Sequence, residues 1–266
     1  MKSANVKVVL LDLDDTLIKD RESADEALRQ AGHLTFRQNG IDPERFAQAV
    51  RQNAKRIFAS SSLYPECRRL GISSLEVLWA SFNGQGELFR TLREWMPFYR
   101  QAVWSSALGG WSVYDSKLAQ KLAEVFVSER RKRQILFPET LDALRALCRR
   151  YKLGLITNGA PDTQRKKIRA TGIQEFFSVI IISGEVGCGK PDPQIIRRAW
   201  PILDCFPWET VMIGDTPSRD LAAAWNAGIP GILVKRGNHA RDTDQYPAFA
   251  EIETLAELPP LLQSLK

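Results

Sequence analysis

Residues 6–17 read Val-Lys-Val-Val-Leu-Leu-Asp-Leu-Asp-Asp-Thr-Leu, a short apolar run that ends in a group of carboxylates. The aliphatic and β-branched residues of Val6–Leu11 have almost no polar interruption, which predicts a strand buried on both faces of a sheet. Carboxylates crowded at the end of a buried strand repel one another and lose solvation. Asp12 and Asp14 therefore predict a functional site at this strand end, where a bound cation would offset the repulsion.

Length and composition are those of an ordinary soluble protein. The chain has 266 residues, which is enough for one large domain or for a core with a smaller insert. No apolar run approaches the roughly 20 residues that a membrane span needs. Val6–Leu11 is also too short for the apolar region of a signal peptide. We therefore expect a cytoplasmic protein with no membrane partner.

The charge and cysteine patterns argue against two classes of binding protein. The net charge is +6, and its basic residues form short clusters on predicted helices, so solvated helix faces are favoured over the continuous basic stripe of a nucleic-acid surface. The main clusters are Arg130–Arg133, Arg149–Arg150, Arg165–Lys167 and Arg197–Arg198. The four cysteines include no CxxC pair, which argues against a zinc site.

Strands and helices alternate from about Ile135 onward. Repeated βα units of this kind predict an α/β fold with a Rossmann-like, doubly wound parallel sheet covered by helices on both faces. The predicted strands are Leu153–Ile156, Val179–Ile182, Val211–Ile213 and Ile232–Val234. The predicted helices are Thr140–Arg150, Asp162–Ala170, Pro191–Trp200, Ser218–Ala227 and Thr254–Leu262.

An all-helical insert interrupts this alternation. Residues from roughly 20 to 133 show helical periodicity and no convincing strand. The predicted helices are Ser23–Ala31, Pro43–Ala59, Ser74–Phe82, Glu87–Phe98 and Ser116–Arg133. We expect a core of residues 1–18 and 134–266 and an inserted domain of residues 19–133. For Trp79, Trp95, Trp104 and Trp111 of the insert, packing in the helical core or a dimer contact is favoured over stacking on a substrate ring.

Polar residues follow the predicted strands of the core. Thr157-Asn158-Gly159 follows the second strand, Gly189-Lys190-Pro191 lies in the loop after the third, and Gly214-Asp215-Thr216 follows the fourth, with Asp220 close behind. Ligands of an open parallel sheet bind at the carboxyl ends of its strands. These segments and Asp12 are therefore expected to meet in one site.

Phosphoryl transfer is the chemistry that this set of side chains predicts. Carboxylate oxygens of Asp12 and Asp215, with a backbone carbonyl, suit the hard cation Mg²⁺. Asp12 is placed to attack phosphorus, and Asp14 to protonate the leaving group and then activate water. Thr157 and Lys190 would neutralise the phosphate oxygens.

The four segments resemble the four motifs of haloacid dehalogenase (HAD) superfamily phosphatases. Asp12–Leu17 matches the first motif, Thr157-Asn158-Gly159 the second, Lys190 the third, and Gly214-Asp215 through Asp220 the fourth. All four occur in the expected order, and together they cover the predicted sheet domain.

The resemblance implies a role for each matching residue. It makes Asp12 the nucleophile and Asp14 the acid/base, and it assigns Thr157, Asn158 and Lys190 to the phosphoryl group. The implied metal ligands are the side chains of Asp12 and Asp215 and the backbone carbonyl of Asp14. Asp220 would lie behind them, in contact with Lys190 or with a metal-bound water.

The implied activity is that of a Mg²⁺-dependent phosphomonoester hydrolase acting through an aspartyl-phosphate. The helical insert matches the cap of one large branch of the superfamily, whose residues select the substrate. The segment Leu155–Gly159 with Gln164 and Lys167 is similar to small-molecule phosphatases of that branch. The expected partner is a small phosphorylated metabolite of the nucleotide or sugar phosphate class.

Other readings of the same scaffold stay open. A phosphomutase would share every motif residue, and a non-catalytic binding protein could retain the fold. A dehalogenase is disfavoured because carbon–halogen cleavage needs neither an acid at Asp14 nor a metal. A phosphonatase would need a Schiff-base lysine, and Lys55 is the only lysine in the first half of the insert. Asp15 is interpreted as structural, because neighbouring strand-end residues point in opposite directions.

Overall fold

The computed structural model describes residues 6–236 and 245–264, and the chain divides into two compact units. The first unit contains Met1–Lys19, Ile135–Asn158 and Gln164–Lys266, and the second contains Asp20–Gln134 with Gly159–Thr163. The boundaries expected from the sequence lie one residue earlier, after residues 18 and 133. The sequence did not separate residues 159–163 from the core.

The first unit is built on a six-stranded parallel sheet within the described residues. The strands run in the order β3-β2-β1-β4-β5-β6, the arrangement of a Rossmann-like doubly wound sheet, which confirms the predicted fold class. Their bounds are β1 Val8–Leu11, β2 Lys152–Thr157, β3 Val179–Ile182, β4 Thr210–Gly214, β5 Gly231–Val234 and β6 Ala250–Ile252. The sequence did not reveal β6, because three residues are too few to show a period.

Both faces of this sheet are apolar. Val9 and Leu11 of β1 pack into one hydrophobic cluster, and Val8 and Leu10 pack into another, because successive side chains of a strand point to opposite faces. Helices contribute buried residues to each cluster, which is why the central strands are apolar throughout. The helices of this part of the chain are α7 Thr140–Cys148, α8 Pro161–Thr171, α9 Ser183–Val186, α10 Gln194–Arg197, α11 Ala199–Leu203, α12 Ala222–Ala227 and α13 Leu258–Ser264.

Prolines account for two differences from the predicted helices. The predicted helix Pro191–Trp200 is two short helices, α10 and α11, because Pro201 has no N–H to donate to the carbonyl of Arg197. The last predicted helix, Thr254–Leu262, has Pro259 and Pro260 in its interior, where they would interrupt it. They lie instead in the first turn of α13, where a missing N–H costs nothing.

The second unit is helical, and no strand occurs between residues 20 and 133, all of which are described. Its helices are α1 Asp20–Asn39, α2 Pro43–Ala59, α3 Tyr64–Leu70, α4 Ser74–Val77, α5 Glu87–Gly109 and α6 Ser116–Lys132. The sequence missed α3 and ended α5 at Phe98, eleven residues too early. No helix among the described residues is both long and apolar enough to cross a membrane.

Aromatic side chains form the core of the helical unit. Trp104 is fully buried, with ring centroids 6.1 Å from Phe46 and 5.8 Å from Phe126. Trp79 is also buried, so the prediction of core packing is confirmed for these two tryptophans. Trp95 is partly buried and packs against this core, and Trp111 keeps 36% of its surface exposed.

Candidate active site

The predicted site residues of the core lie at the carboxyl ends of the strands. Asp12 directly follows β1, and Asp215 directly follows β4, which pairs with β1 in parallel. The next strand after β1 is β2, on one side of this central pair, and the next strand after β4 is β5, on the other side. Such a switch point is where doubly wound sheets form their binding crevice. The structure brings together Asp12, Lys190, Asp215 and Asp220 at this point.

Lys190 lies among the carboxylates as a buried cation. Its Nζ forms an ion pair with Asp12, lies 2.7 Å from Asp220 Oδ1 and donates to the carbonyl oxygen of Ile156 at 3.0 Å. Burial alone would lower the pKa of Lys190, but the charges of Asp12 and Asp220 outweigh it and raise the pKa. Lys190 therefore stays protonated, and positively charged, next to Asp12.

Asn158 holds Lys190 in place. Its Nδ2 donates to the Lys190 carbonyl oxygen at 2.8 Å, and its Oδ1 accepts from the Lys190 backbone N–H at 2.8 Å. Both polar atoms of this buried side chain thus form hydrogen bonds with the backbone of Lys190, the residue that precedes the cis peptide bond to Pro191. These side-chain contacts position Lys190, and the contact of Asn158 with the phosphoryl group stays a prediction.

Asp12, Asp215 and Asp220 form a buried acidic cluster, in which one carboxylate oxygen of each residue lies within 4.8 Å of the other two. Burial and the neighbouring carboxylates raise the pKa of Asp12 to about 7, against the opposing charge of Lys190. Burial and the charges of Asp220 and Asp12 raise the pKa of Asp215 to about 8. The raised pKa values mean that protons neutralise part of this cluster at neutral pH. The hard oxygen atoms of the three acids fit a divalent cation, which would replace those protons.

Gly214 is required for this cluster to assemble. A Cβ atom at Gly214 would lie 2.2 Å from Cγ of Asp220, so any larger residue would displace that carboxylate. Asp220 lies in the π-helix Pro217–Leu221, and its Oδ2 accepts from the backbone N–H of Thr216 at 3.0 Å. The Thr216 hydroxyl in turn donates to Asp215 Oδ1 at 3.1 Å. Local hydrogen bonds thus orient both carboxylates after β4.

The Asp14 carboxylate has different partners from those of Asp12. Lys167 Nζ donates to both of its oxygens, at 2.8 and 2.9 Å, and Gln164 Nε2 donates to Oδ2 at 3.0 Å. Gln164 Nε2 also lies 2.6 Å from the Thr157 hydroxyl oxygen. The Asp14 side chain is 30% exposed, so this carboxylate is accessible in a way that Asp12 is not.

Sequence reasoning noticed Gln164 and Lys167 only as points of similarity and gave them no role. They lie three residues apart on one helix, so they share a face of α8. Helix α8 starts just after Thr157-Asn158-Gly159, and this proximity in sequence was the available signal that its residues could reach the site. The predicted contact of Asp14 with a metal involves its backbone carbonyl and stays a prediction.

Asp15 occupies the turn that follows these acids. Its φ of 58° is a left-handed conformation that Asp and Asn tolerate better than most residues. Its backbone N–H donates to the Ile18 carbonyl oxygen at 2.8 Å. Thr16, the next residue, donates its hydroxyl to Asp12 Oδ2 at 3.3 Å.

The raised pKa of Asp215 predicts a pH-dependent effect of Asp215→Asn on stability. The folded protein keeps this proton up to about pH 8, whereas the unfolded chain releases it near pH 4, so folding loses stability as the pH rises between these values. With divalent cations removed by EDTA, the melting temperature of the variant should exceed that of the unmodified protein by at least about 2–5 °C at pH 8.5 and match it near pH 4. The exposed Asp142→Asn is the control. A difference that is the same at both pH values would contradict the prediction.

Comparison with known proteins agrees with this architecture. The model of the haloacid dehalogenase-like hydrolase family matches residues 6–228. A phosphoserine phosphatase of Thermus thermophilus is 38% identical over 247 residues, which cover 91% of this chain and 94% of the relative. An N-acylneuraminate-9-phosphatase of Mus musculus is 34% identical over 57% of this chain and 61% of its own length.

A solved structure shares the fold over nearly the whole chain. A 2-haloacid dehalogenase from Pseudomonas syringae is 26% identical, with a TM-score of 0.60 over 98% of this chain and 100% of its own. The family match spans both the sheet with its acidic cluster and the helical insert. On that basis the chain belongs to the haloacid dehalogenase-like hydrolases.

Proposed function

We propose that this chain is a Mg²⁺-dependent phosphatase that hydrolyses a small phosphomonoester through a phosphorylated Asp12. The observation that carries the proposal is the division of the acids into two groups. Asp12, Asp215 and Asp220 form a buried cluster with more acids than its one lysine can neutralise, and Asp14 lies apart with a partly exposed carboxylate. A cation and a nucleophile fit the first group, and proton transfer fits the second.

The cluster has the donor set that Mg²⁺ prefers. The side chains of Asp12 and Asp215, with the backbone carbonyl of Asp14, would hold the ion, and Asp220 would support it from behind through Lys190. The bound cation would screen the repulsion between the substrate phosphate and Asp12. Because the pKa values of Asp12 and Asp215 are raised to about 7 and 8, protons compete with the cation for these oxygens.

Two displacements at phosphorus complete the reaction. A carboxylate oxygen of Asp12 attacks phosphorus, the bond from phosphorus to the leaving oxygen breaks, and Asp14 gives its proton to that oxygen. Water then attacks the same phosphorus, its proton passes to Asp14, and the bond from phosphorus to Asp12 breaks. Thr157 and Lys190 bind the phosphoryl oxygens, where negative charge accumulates in both transition states.

The phosphoserine phosphatase relative provides the first substrate to test. An alignment over 91% of the chain has to include much of the helical insert, where the resemblance to capped phosphatases locates substrate selection. The acylneuraminate phosphatase alignment covers only 57% of the chain and carries less weight. We therefore place O-phosphoserine ahead of the nucleotide and sugar phosphates expected from the sequence.

Dehalogenation is the second candidate, because the solved dehalogenase shares the fold over 98% of the chain. A departing halide ion takes up no proton, so that reaction has no use for Asp14 as an acid. It also has no use for a cation beside the nucleophile. The acidic cluster and the Asp14 contacts therefore favour phosphate ester hydrolysis.

A substrate panel tests the proposed activity. We expect phosphate release from O-phosphoserine or another small phosphomonoester in the presence of Mg²⁺, and loss of that activity in EDTA. The panel includes nucleotides, sugar phosphates and 2-chloropropionate, with halide release and phosphate isomers also measured. Chloride release, isomer formation without free phosphate, or no reaction with any compound would each contradict the proposal in favour of a dehalogenase, a phosphomutase or a binding protein.

Substitution of the nucleophile should abolish turnover without loss of the fold. Asp12→Asn keeps the size of the side chain but removes the attacking carboxylate, so we expect kcat to fall by at least about 10³-fold. Asp15→Asn changes an acid in the same loop at a left-handed position that asparagine accepts, and its kcat should stay within about threefold. Near-normal activity in Asp12→Asn, with the fold verified by circular dichroism, would exclude the mechanism.

A further inference from the structure

Lys167 is a buried cation that contacts Asp14, the proposed acid/base, directly. Its side chain is only 4% exposed, and its Nζ lies within 2.9 Å of both carboxylate oxygens of Asp14. A buried ammonium group needs acceptor oxygens with good hydrogen-bond geometry, and both oxygens of Asp14 supply them. The location of Lys167 on α8 therefore determines where the Asp14 carboxylate lies.

Gln164 adds a second constraint from the same helix. Its side-chain Nε2 lies 3.0 Å from Asp14 Oδ2 and 2.6 Å from the hydroxyl oxygen of Thr157. One amide group thus joins the predicted acid/base to a predicted phosphate ligand. Gln164 and Lys167 are both buried, so the packing around α8 holds these contacts in place.

We propose that Lys167, assisted by Gln164, is a positioning residue that holds Asp14 for its two proton transfers. The inference rests on the proposed phosphatase function and extends it to residues outside the four motifs. Neither residue reacts with the substrate. Their effect is to keep a partly exposed carboxylate in one orientation, within reach of the leaving oxygen in the first step and of water in the second.

Positioning matters because the Asp14 side chain would otherwise have several conformations open to it. A carboxylate that is 30% exposed samples several side-chain rotamers unless its partners fix one. A proton donor or acceptor works only within hydrogen-bond reach of its target, and a displacement of about 1 Å can cost on the order of 100-fold in rate. Loss of Lys167 should therefore affect proton transfer rather than substrate binding.

Substrates whose leaving groups differ in their need for a proton distinguish this positioning role from a merely structural one. An alkyl alkoxide needs a proton as it departs, whereas p-nitrophenolate departs without one. Lys167→Met should thus slow the first step only for alkyl phosphates. It should slow the second step, in which Asp14 takes a proton from water, for every substrate, because the aspartyl-phosphate is the same.

The test is rapid-mixing kinetics of the full chain with Mg²⁺ and p-nitrophenyl phosphate. In Lys167→Met we expect an initial burst of p-nitrophenol at a near-normal rate, followed by steady-state turnover that is slowed about 10- to 100-fold. With the best alkyl phosphate of the substrate panel, kcat should fall at least as far while KM changes less than about threefold. The burst amplitude counts folded, competent sites, so a poorly folding variant would lower the amplitude without mimicking the predicted slow second step.

Arg169→Met is the matched control, because it removes an exposed cation from the same helix and should leave both phases unchanged. The proposal is overturned if Lys167→Met slows the burst rate as much as the steady state, or if its kcat for the alkyl phosphate stays within twofold of normal. Absence of phosphate release by the unmodified protein would instead count against the proposed function itself.

Discussion

Lys190 Nζ lies between the carboxylates of Asp12 and Asp220, close to the ends of two neighbouring parallel strands, and all three side chains are buried. This ion pair is the constraint on which the site depends, because a buried carboxylate stays ionised only beside a compensating charge. Asn158 fixes the backbone of Lys190, and Gly214 leaves the space that Asp220 fills. One lysine cannot balance three ionised acids, so protons neutralise part of the cluster, and a cation would displace them.

The environments of Asp12 and Asp14 differ although the residues are two positions apart. Asp12 faces the buried cluster after β1, where burial raises its pKa to about 7 and Lys190 opposes that shift. Asp14 lies in the following turn, where residues of α8 hold a carboxylate that remains partly exposed. A nucleophile and a proton-transfer group need these different surroundings, and the end of one strand provides both.

The sequence predicted the sheet and the strand-end residues because both follow from local patterns. Apolar runs followed by Asp12, Thr157 and Asp215 identify strands and their carboxyl ends without reference to the rest of the chain. The contact between Lys167 and Asp14 joins residues 153 positions apart, and only the folded chain reveals it. The same holds for Asn158, whose partner is backbone and leaves no pattern of residue types. The break between helices α10 and α11 depends on Pro201, a local signal that was overlooked because the helical periodicity continues across it.

The most direct measurement is chemical identification of the phosphorylated residue. Sodium borohydride reduces an acyl phosphate to an alcohol, so it converts a phosphorylated aspartate to homoserine that mass spectrometry can locate. During turnover with Mg²⁺ and O-phosphoserine, or the best substrate found, the account predicts homoserine at position 12 and at no other aspartate. Reduction at another residue, or continued turnover with no reduced residue at all, would contradict the claim that the buried cluster activates Asp12 as the nucleophile.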